Sequence, residues 1–412
     1  VLTNVYVPEA QTVYIIQVEK AAPITASIAI EPQGALLTLH DTASGNRLWP
    51  ENGVYLLSDG YSYRYTLTKT GYVGKTGLLE TAKDESGNSI ILLDGQTVTP
   101  AVVDGKMNVS LTLKLDQAPV NDSLNPDLPS QWPDFRGNDD NNGVTDAPVP
   151  ANAEKGTLYW ANQLGKGFDT GAVGCPILVN GCLITYSSNT IYRVDSVSGQ
   201  VLARGTMDHS SSFSITPPVY ADGMVFVALS DGTVQAFNAE TLESLWVYRD
   251  PLGGQPNSPL TVYDGYLYTG FWNAENSDAN YVCLSITDED PSNPKEEKLA
   301  AWYHTQLGGF YWAGAYVCGD YMLVGTDDGF GGYNHQTSQL LLLYPKTGWV
   351  LDSWDGLDAD IRSTIARDDS TGKFYFTSKG GSFYSVTVEQ DGSSWRIGGK
   401  RRLKLQNGSS SY

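Results

Sequence analysis

The sequence predicts an all-β protein with an N-terminal β-sandwich followed by a C-terminal β-propeller. Three observations carry that reading. A strand–turn–strand unit recurs as PILVNGCLITYS (176–187), PPVYADGMVFVALS (217–230), SPLTVYDGYLYTGF (258–271) and AYVCGDYMLVGT (315–326). Asn180, Asp222 and Asp264 open successive turns 42 residues apart, the next turn starts at Gly319, 55 further on, and a fifth copy lies in TIARDDSTGKFYFTSKGG (364–381). Downstream of three copies stands a second phrase, VDSVSGQVLARG (194–205), FNAETLESLWVY (237–248) and LYPKTGWVLDSW (343–354). A period in the forties built from short strands marks one propeller blade per repeat, because a lone blade has two faces and must stack to bury both.

The first 118 residues lack this period. They read as alternating strands, among them ASIAIEP, ALLTLHD, YRYTLTK and NVSLTLKL, separated by Gly, Asn and Asp turns. Six or seven such strands suit a small sandwich. Tyr61, Tyr63 and Tyr65 alternate, so they share a face and serve a core or a domain contact. Residues 119–131, with Pro119, Pro126 and Pro129 and no strand pattern, are expected to be a semi-rigid linker. The propeller then occupies 132–412.

Within the repeats, Asn180-Gly181, Asp222-Gly223 and Asp264-Gly265 are dipeptides that tolerate positive φ in two-residue hairpin turns. Val, Ile, Tyr and Phe in the flanking strands suit a pleated, half-buried surface. Five blades are visible, near 158–206, 212–249, 256–307, 312–356 and 361–405. A closed ring of this kind generally has more, so six to eight are expected, with residues 132–157 a candidate for a closing outer strand.

Charge and composition narrow the function. With 46 acidic and 26 basic residues the net charge is −20, which argues against nucleic acid and anionic membrane surfaces as partners. No apolar run reaches the ~20 residues of a membrane span. The start at Val1 suits an exported chain whose signal has been removed. Cys175, Cys182, Cys283 and Cys318 show no metal-ligand spacing and are expected to be small buried hydrophobes; pairing of Cys283 with Cys318 stays open. Asn138, Asp140, Asn142 and Gly143 mimic the first half of an EF-hand loop, but Val149 stands where the bidentate Glu belongs, so an Asx-rich turn is expected. DEDPSNPKEE (288–297) reads as a solvated hairpin tip. No metal site and no cofactor is expected.

The phrase FNAETLESLW, ending in Trp246, and LYPKTGWVLDSW, ending in Trp354, resemble the turn-and-strand phrase of the pyrroloquinoline-quinone (PQQ)-like propellers, and WPDFRGNDDNNGV (132–144) resembles their opening segment. The resemblance covers 132–412. It implies that Trp246, Trp302 and Trp354 pack between blades, with Ala203 standing where the first copy would have its Trp. It also brings in the quinoprotein dehydrogenases, which need a calcium ion held by Glu, Asn and Asp oxygens and often a disulfide between adjacent cysteines; no adjacent pair exists here. A dehydrogenase or a glycan-active enzyme is therefore the alternative to a binding protein. A third reading is an assembly scaffold, similar to the propeller lipoprotein that helps build outer-membrane barrels, although that family's acylated N-terminal Cys has no counterpart here. The stretch 54–77 resembles PEGA-like sandwich modules of bacterial surface proteins, which act as spacers.

The reading the residues favour is a monomeric, exported or cell-surface binding or scaffolding protein. If strand A of each blade starts at one face of the disc, the loop before A and the loop after B open on that face. Phe213 and Asn257 lie there, and Trp272, Asn273, Tyr311, Trp312, Asp327 and Arg362 come from consecutive blades, so they form the candidate ligand site. Aromatic area beside polar groups suits a glycan or a peptide or protein ligand, and the net charge favours neutral or cationic ones.

Overall fold

The computed structural model describes residues 5–6, 13–14, 23–148, 152, 154, 156–168, 171–211, 216–332 and 335–405. The chain divides into two compact units, residues 1–67 with 75–115, and residues 68–74 with 116–412.

Among the described residues the first unit has a two-stranded pair, Val5–Tyr6 with Val13–Tyr14, and two larger sheets. One runs in the order Gln96–Val98, Ser89–Leu93, Lys75–Lys83, Ser62–Thr68, Leu36–Asp41, Arg47–Leu48; the other is Ala101–Val103, Lys106–Lys114, Ile24–Glu31, Tyr55–Leu57. Period-2 alternation buries Tyr63, Tyr65 and Leu67 from one strand and Val109, Leu111 and Leu113 from another. Tyr61 lies just outside its strand and is half exposed, its ring stacked 6.4 Å from that of Tyr63. This is the sandwich-type all-β module the strand pattern predicts.

The second unit carries five four-stranded antiparallel meanders. Blade one is Ile177–Val179, Cys182–Ser187, Thr190–Asp195 and Val201–Thr206; blade two is Val219–Ala221, Met224–Leu229, Thr233–Asn238 and Ser244–Arg249. Blade three is Thr261–Tyr263, Tyr266–Gly270, Asp278–Ser285 and Ala300–Leu307; blade four is Tyr316–Val317, Met322–Gly325, Ser338–Tyr344 and Trp349–Leu357. Blade five is Ala366–Asp368, Lys373–Thr377, Ser382–Asp391 and Ser394–Lys404. The described residues hold these five and not the six to eight expected. At the first three hairpins the turn chemistry acts as read: Asn180, Asp222 and Asp264 sit at φ of 47°, 50° and 49°, each followed by a positive-φ Gly.

Apolar faces stack between blades. Phe226, Ala236 and Trp246 of blade two pack with Leu267, Val282 and Leu284 of blade three, and Leu340 and Leu342 pack with Phe374, Phe376 and Tyr384 across blades four and five. Trp246 and Trp302 are wholly buried, and each donates its indole N–H into the next blade, Trp246 to Ile286 O at 3.3 Å and Trp302 to Pro345 O at 2.7 Å. Gly348, at φ 69°, lies under the Trp302 ring, where an added Cβ would approach to 2.6 Å. Trp354 differs: it is only partly buried and meets Tyr384 of blade five edge-on at 5.4 Å. Blade one's corresponding Gly199 is covered by Trp160, which precedes the blade.

Three expectations are corrected. The segment expected as a linker is packed: Asn238 donates to Ser123 O at 2.9 Å and Asn121 to Asp288 at 2.6 Å, while Ser130–Trp132 forms a strand. That strand pairs with the inner strand of blade one, so among the described residues 132–157 supplies no closing outer strand. The chain then runs along other inner strands: Tyr220 N donates to Pro133 O, Arg367 N to Asp140 O, and buried Asn141 donates to Ala315 O and Ile365 O of blades four and five. The third correction is partial: residues 290–295 are exposed as a solvated tip, but the flanks of the segment are packed. Glu296–Glu297 adds a parallel strand to the outer edge of blade two, and Lys298 is buried with its ammonium on Glu289 Oε1 at 2.5 Å, because an ammonium taken from water must find a carboxylate.

Cys182 and Cys283 are buried, Cys318 is partly buried and Cys175 is exposed, and all four are free thiols; the reading of Cys175 as a buried hydrophobe fails because it precedes the inner strand of blade one and lines an open cavity.

Candidate functional site

Two neighbouring features lie where the inner strands begin. The first gathers five of the six side chains singled out from sequence. Trp272, after the second strand of blade three, stacks on Tyr311 at 4.6 Å, and Tyr311 stacks on Trp312 at 4.1 Å. Arg362 Cζ lies 4.6 Å from the Tyr311 ring centre and 6.0 Å from that of Trp272, a cation–π arrangement. Asp327 completes it, accepting from Arg362 Nε at 3.0 Å and Nη2 at 2.5 Å.

Their roles differ from the reading, however. Asp327 and Arg362 are buried and bound to each other, and Arg362 also meets Glu275 at 2.7 Å and Asp360 at 3.0 Å. They brace the aromatic stack from behind and do not offer charge to a ligand. Burial pushes Asp327 well above the usual carboxylate range and Asp360 up to about 6, while the carboxylates hold Arg362 further above its ordinary value. Asn273 spends its amide N–H groups on Leu252 O and Asp278 O, which shapes the turn carrying Trp272. Phe213 lies outside the described residues.

The second feature is a cavity of about 850 Å³. Its wall takes residues from just before the inner strand of every blade: Pro176, Pro217, Pro259, Trp312 and Thr364. Trp132, Phe135 and Arg136 of the opening segment line it as well, as do Phe168 and Thr216, with Asn257 at its side. Proline suits Pro176, Pro217 and Pro259 because residues ahead of a strand owe no N–H to its ladder. Trp312 is common to both features. Its φ is 56°, and Arg136 stands at 62°, both in the left-handed region that bulky side chains rarely enter. Such strain costs about 1–3 kcal/mol and persists where the surroundings impose it, often at binding sites.

Sequence reasoning missed Glu275, Asp360 and Arg136, whereas Asn257, placed on this face from sequence, does line the cavity. Asp360 and Arg362, two residues apart in DADIR, were a visible signal; Glu275 and Arg136 gave none, since their partners are remote in the chain. The EF-like loop is an Asx-rich turn: Asn138 donates to Asn142 Oδ1 at 2.9 Å, and Asp140 is paired with Arg367 at 3.1 Å.

Glu275, Asp327 and Asp360 could by spacing hold a metal ion, with one oxygen from each lying within 4.8 Å of the others. The Arg362 guanidinium fills that place, in contact with all three. The calcium-assisted quinone chemistry implied by the repeat resemblance needs such carboxylates free, so this cluster does not fit it.

A family model described as outer membrane protein assembly factor BamB matches residues 148–277. Among solved structures, a quinohemoprotein alcohol dehydrogenase from Comamonas testosteroni aligns at 15% identity and a TM-score of 0.49, covering 63% of this chain and 47% of that one. The quinohemoprotein alcohol dehydrogenase ADHIIG from Pseudomonas putida HK5 aligns at 16% identity and a TM-score of 0.45, covering 62% of this chain and 46% of that one. The chain thus spans about half the length of either enzyme. No curated protein sequence matches it significantly. No helix among the described residues is long and apolar enough to cross a membrane.

Proposed function

On the premise that the second unit is a β-propeller of PQQ-like repeats, we propose that this chain is a non-catalytic binding or scaffolding protein of the bacterial envelope that seats a segment of a partner protein in the cavity beside Trp312. The observation that carries this reading is Trp312 itself. An indole held at φ 56°, stacked on Tyr311 and lining an apolar cavity, is a rigid aromatic wall of the kind that anchors binding sites.

Peptide is favoured over glycan because three prolines and four aromatic residues line the cavity, while a sugar would bury hydroxyls that need several polar partners. The lining contains no carboxylate, so the preference for cationic ligands drawn from net charge is not carried into the site. Likeness to the outer-membrane assembly family supports scaffolding, and the sandwich fits a spacer role.

Panning a random peptide library against the propeller tests the proposal. Enrichment of peptides with aromatic or large apolar residues is expected, with binding lost in Trp312→Gly, which keeps the left-handed backbone and deletes the ring. Selection of glycans and not peptides on parallel arrays, or peptide binding unchanged in Trp312→Gly, would refute it.

A further inference from the structure

Arg136 lies in the turn Phe135–Gly137 of the opening segment, and that turn is held at three points. Pro133 O accepts from Tyr220 N of blade two at 2.8 Å, and Gly137 N donates to Asp134 O at 3.2 Å. Gly137 packs under the Trp132 ring, where an added Cβ would come within 2.6 Å. The held turn keeps Arg136 at φ 62° and ψ 10°, a conformation for which Gly or Asn is the unstrained choice. Its side chain is exposed and lines the cavity, with the guanidinium 5.3 Å from the Phe135 ring centre. No carboxylate pairs with it among the described residues. Every other described residue of the lining is uncharged, and the rings of Trp132, Phe135, Phe168 and Trp312 make most of the wall apolar.

Resting on the binding role above, we propose that the seated segment carries a carboxylate beside a large apolar side chain, with Arg136 as the group that reads the charge. A long cation at a strained position, where Gly would relieve the strain, points to a use for the cation. A guanidinium offers a carboxylate two parallel N–H donors, so it fixes orientation as well as charge. A Lys or Arg in the same place would meet a like charge, with no carboxylate in the wall to offset it. A neutral segment would seat its apolar side chain and leave the guanidinium to water. The net charge of −20 opposes anions at long range, so this selectivity arises at contact and not in the approach. An Asp or Glu side chain and a chain's own C-terminus present the same group.

Calorimetric titration of the full chain with capped dipeptides tests this and separates the two sources. Acetyl-Glu-Trp-amide is compared with acetyl-Gln-Trp-amide, and acetyl-Gly-Trp acid with its amide; acetyl-Lys-Trp-amide supplies the opposite charge. At least one acid should bind about three- to fivefold more tightly than its neutral partner, the upper scale of an exposed ion pair. The larger ratio identifies side chain or terminus, and the Lys peptide should bind more weakly than the Gln one. In Arg136→Gly, which suits the left-handed backbone, both ratios should fall to one while the neutral peptides bind as in wild type. Should that variant not fold, the wild-type ratios decide alone. Ratios of one for both acids, preference for the Lys peptide, ratios unchanged in Arg136→Gly, or no saturable binding of any probe overturns the assignment. Neutral peptides that bind wild type, are lost in Trp312→Gly and show no preference for the acids would overturn the charge reading alone and leave the partner-binding role standing.

Discussion

Trp160 donates its indole N–H to the carbonyl of Ser196 at 3.0 Å. Its ring also covers Gly199, whose φ is 73° and where an added Cβ would come within 2.6 Å. Trp302 stands in the same relation to Pro345 and Gly348. A residue ahead of blade one therefore repeats the docking that blade three makes on blade four, although it belongs to none of the five sheets.

Replacing Trp302 by Ala should destabilise the propeller by about 3–5 kcal/mol, since the ring is wholly buried and its N–H partner is left unpaired. Gly348→Ala should also be costly, through both the left-handed φ and the ring overhead. Chemical denaturation of the full chain measures both; a loss under 1 kcal/mol for Trp302→Ala would refute the docking role.

Arg362→Met should cost about 3–5 kcal/mol at pH 8, because it strands buried Asp327 and Asp360. Part of that loss should return by pH 5. Burial already pushes Asp360 up to about 6 with the arginine present, so without it the two carboxyls take up protons readily and the stranded charge disappears. Stability of the variant measured across this range should rise as pH falls; a flat profile would count against the cluster.

Asp134 gives a pH effect in the native chain. Burial, and then repulsion from Asp139, push its carboxyl up to about 7, and its Oδ1 has no partner among the described residues. The folded state thus holds a proton that the unfolded state releases near pH 4, so this group's contribution falls as pH rises from about 4 to 7. Asp134→Asn should abolish that fall and leave the protein more stable than wild type at pH 8 and near-neutral at pH 4. Melting temperatures at the two pH values decide it.

Asn141 separates backbone from hydrogen bonding. Its φ of 52° suits Asn or Gly, and its amide spans Ala315 O and Ile365 O. Asn141→Gly should cost about 1–3 kcal/mol from the stranded carbonyls, and Asn141→Ala about 1 kcal/mol more. Equal stability of the two variants would show that the left-handed backbone is not imposed there.

Local chemistry was readable in the sequence, and remote pairing was not. The turns at Asn180, Asp222 and Asp264 were visible because the φ each needs is decided by the residue itself and the Gly after it. The grouping of Trp272, Tyr311 and Trp312 followed from blade geometry, which fixes where loops emerge. Yet the same geometry says nothing about which polar groups are spent internally, so Asp327 and Arg362 were assigned to a ligand they do not face. Glu296–Glu297 read as a loop tip because its strand partner is Trp246–Val247, on another blade.

The opening segment ties blade one at Ser130–Trp132, blade two at Pro133, and blades four and five through Asn141. In a simple repeat array each unit touches only its neighbours, and order can spread from any point. Here Asn141 meets Ile365 across 224 residues of sequence. At roughly 5–20 residues per second of synthesis, it emerges on the order of ten to forty-five seconds before its partner exists. Blades formed in that interval lack their shared brace, so blade five, made after the other four, is the one that completes the opening segment's contacts.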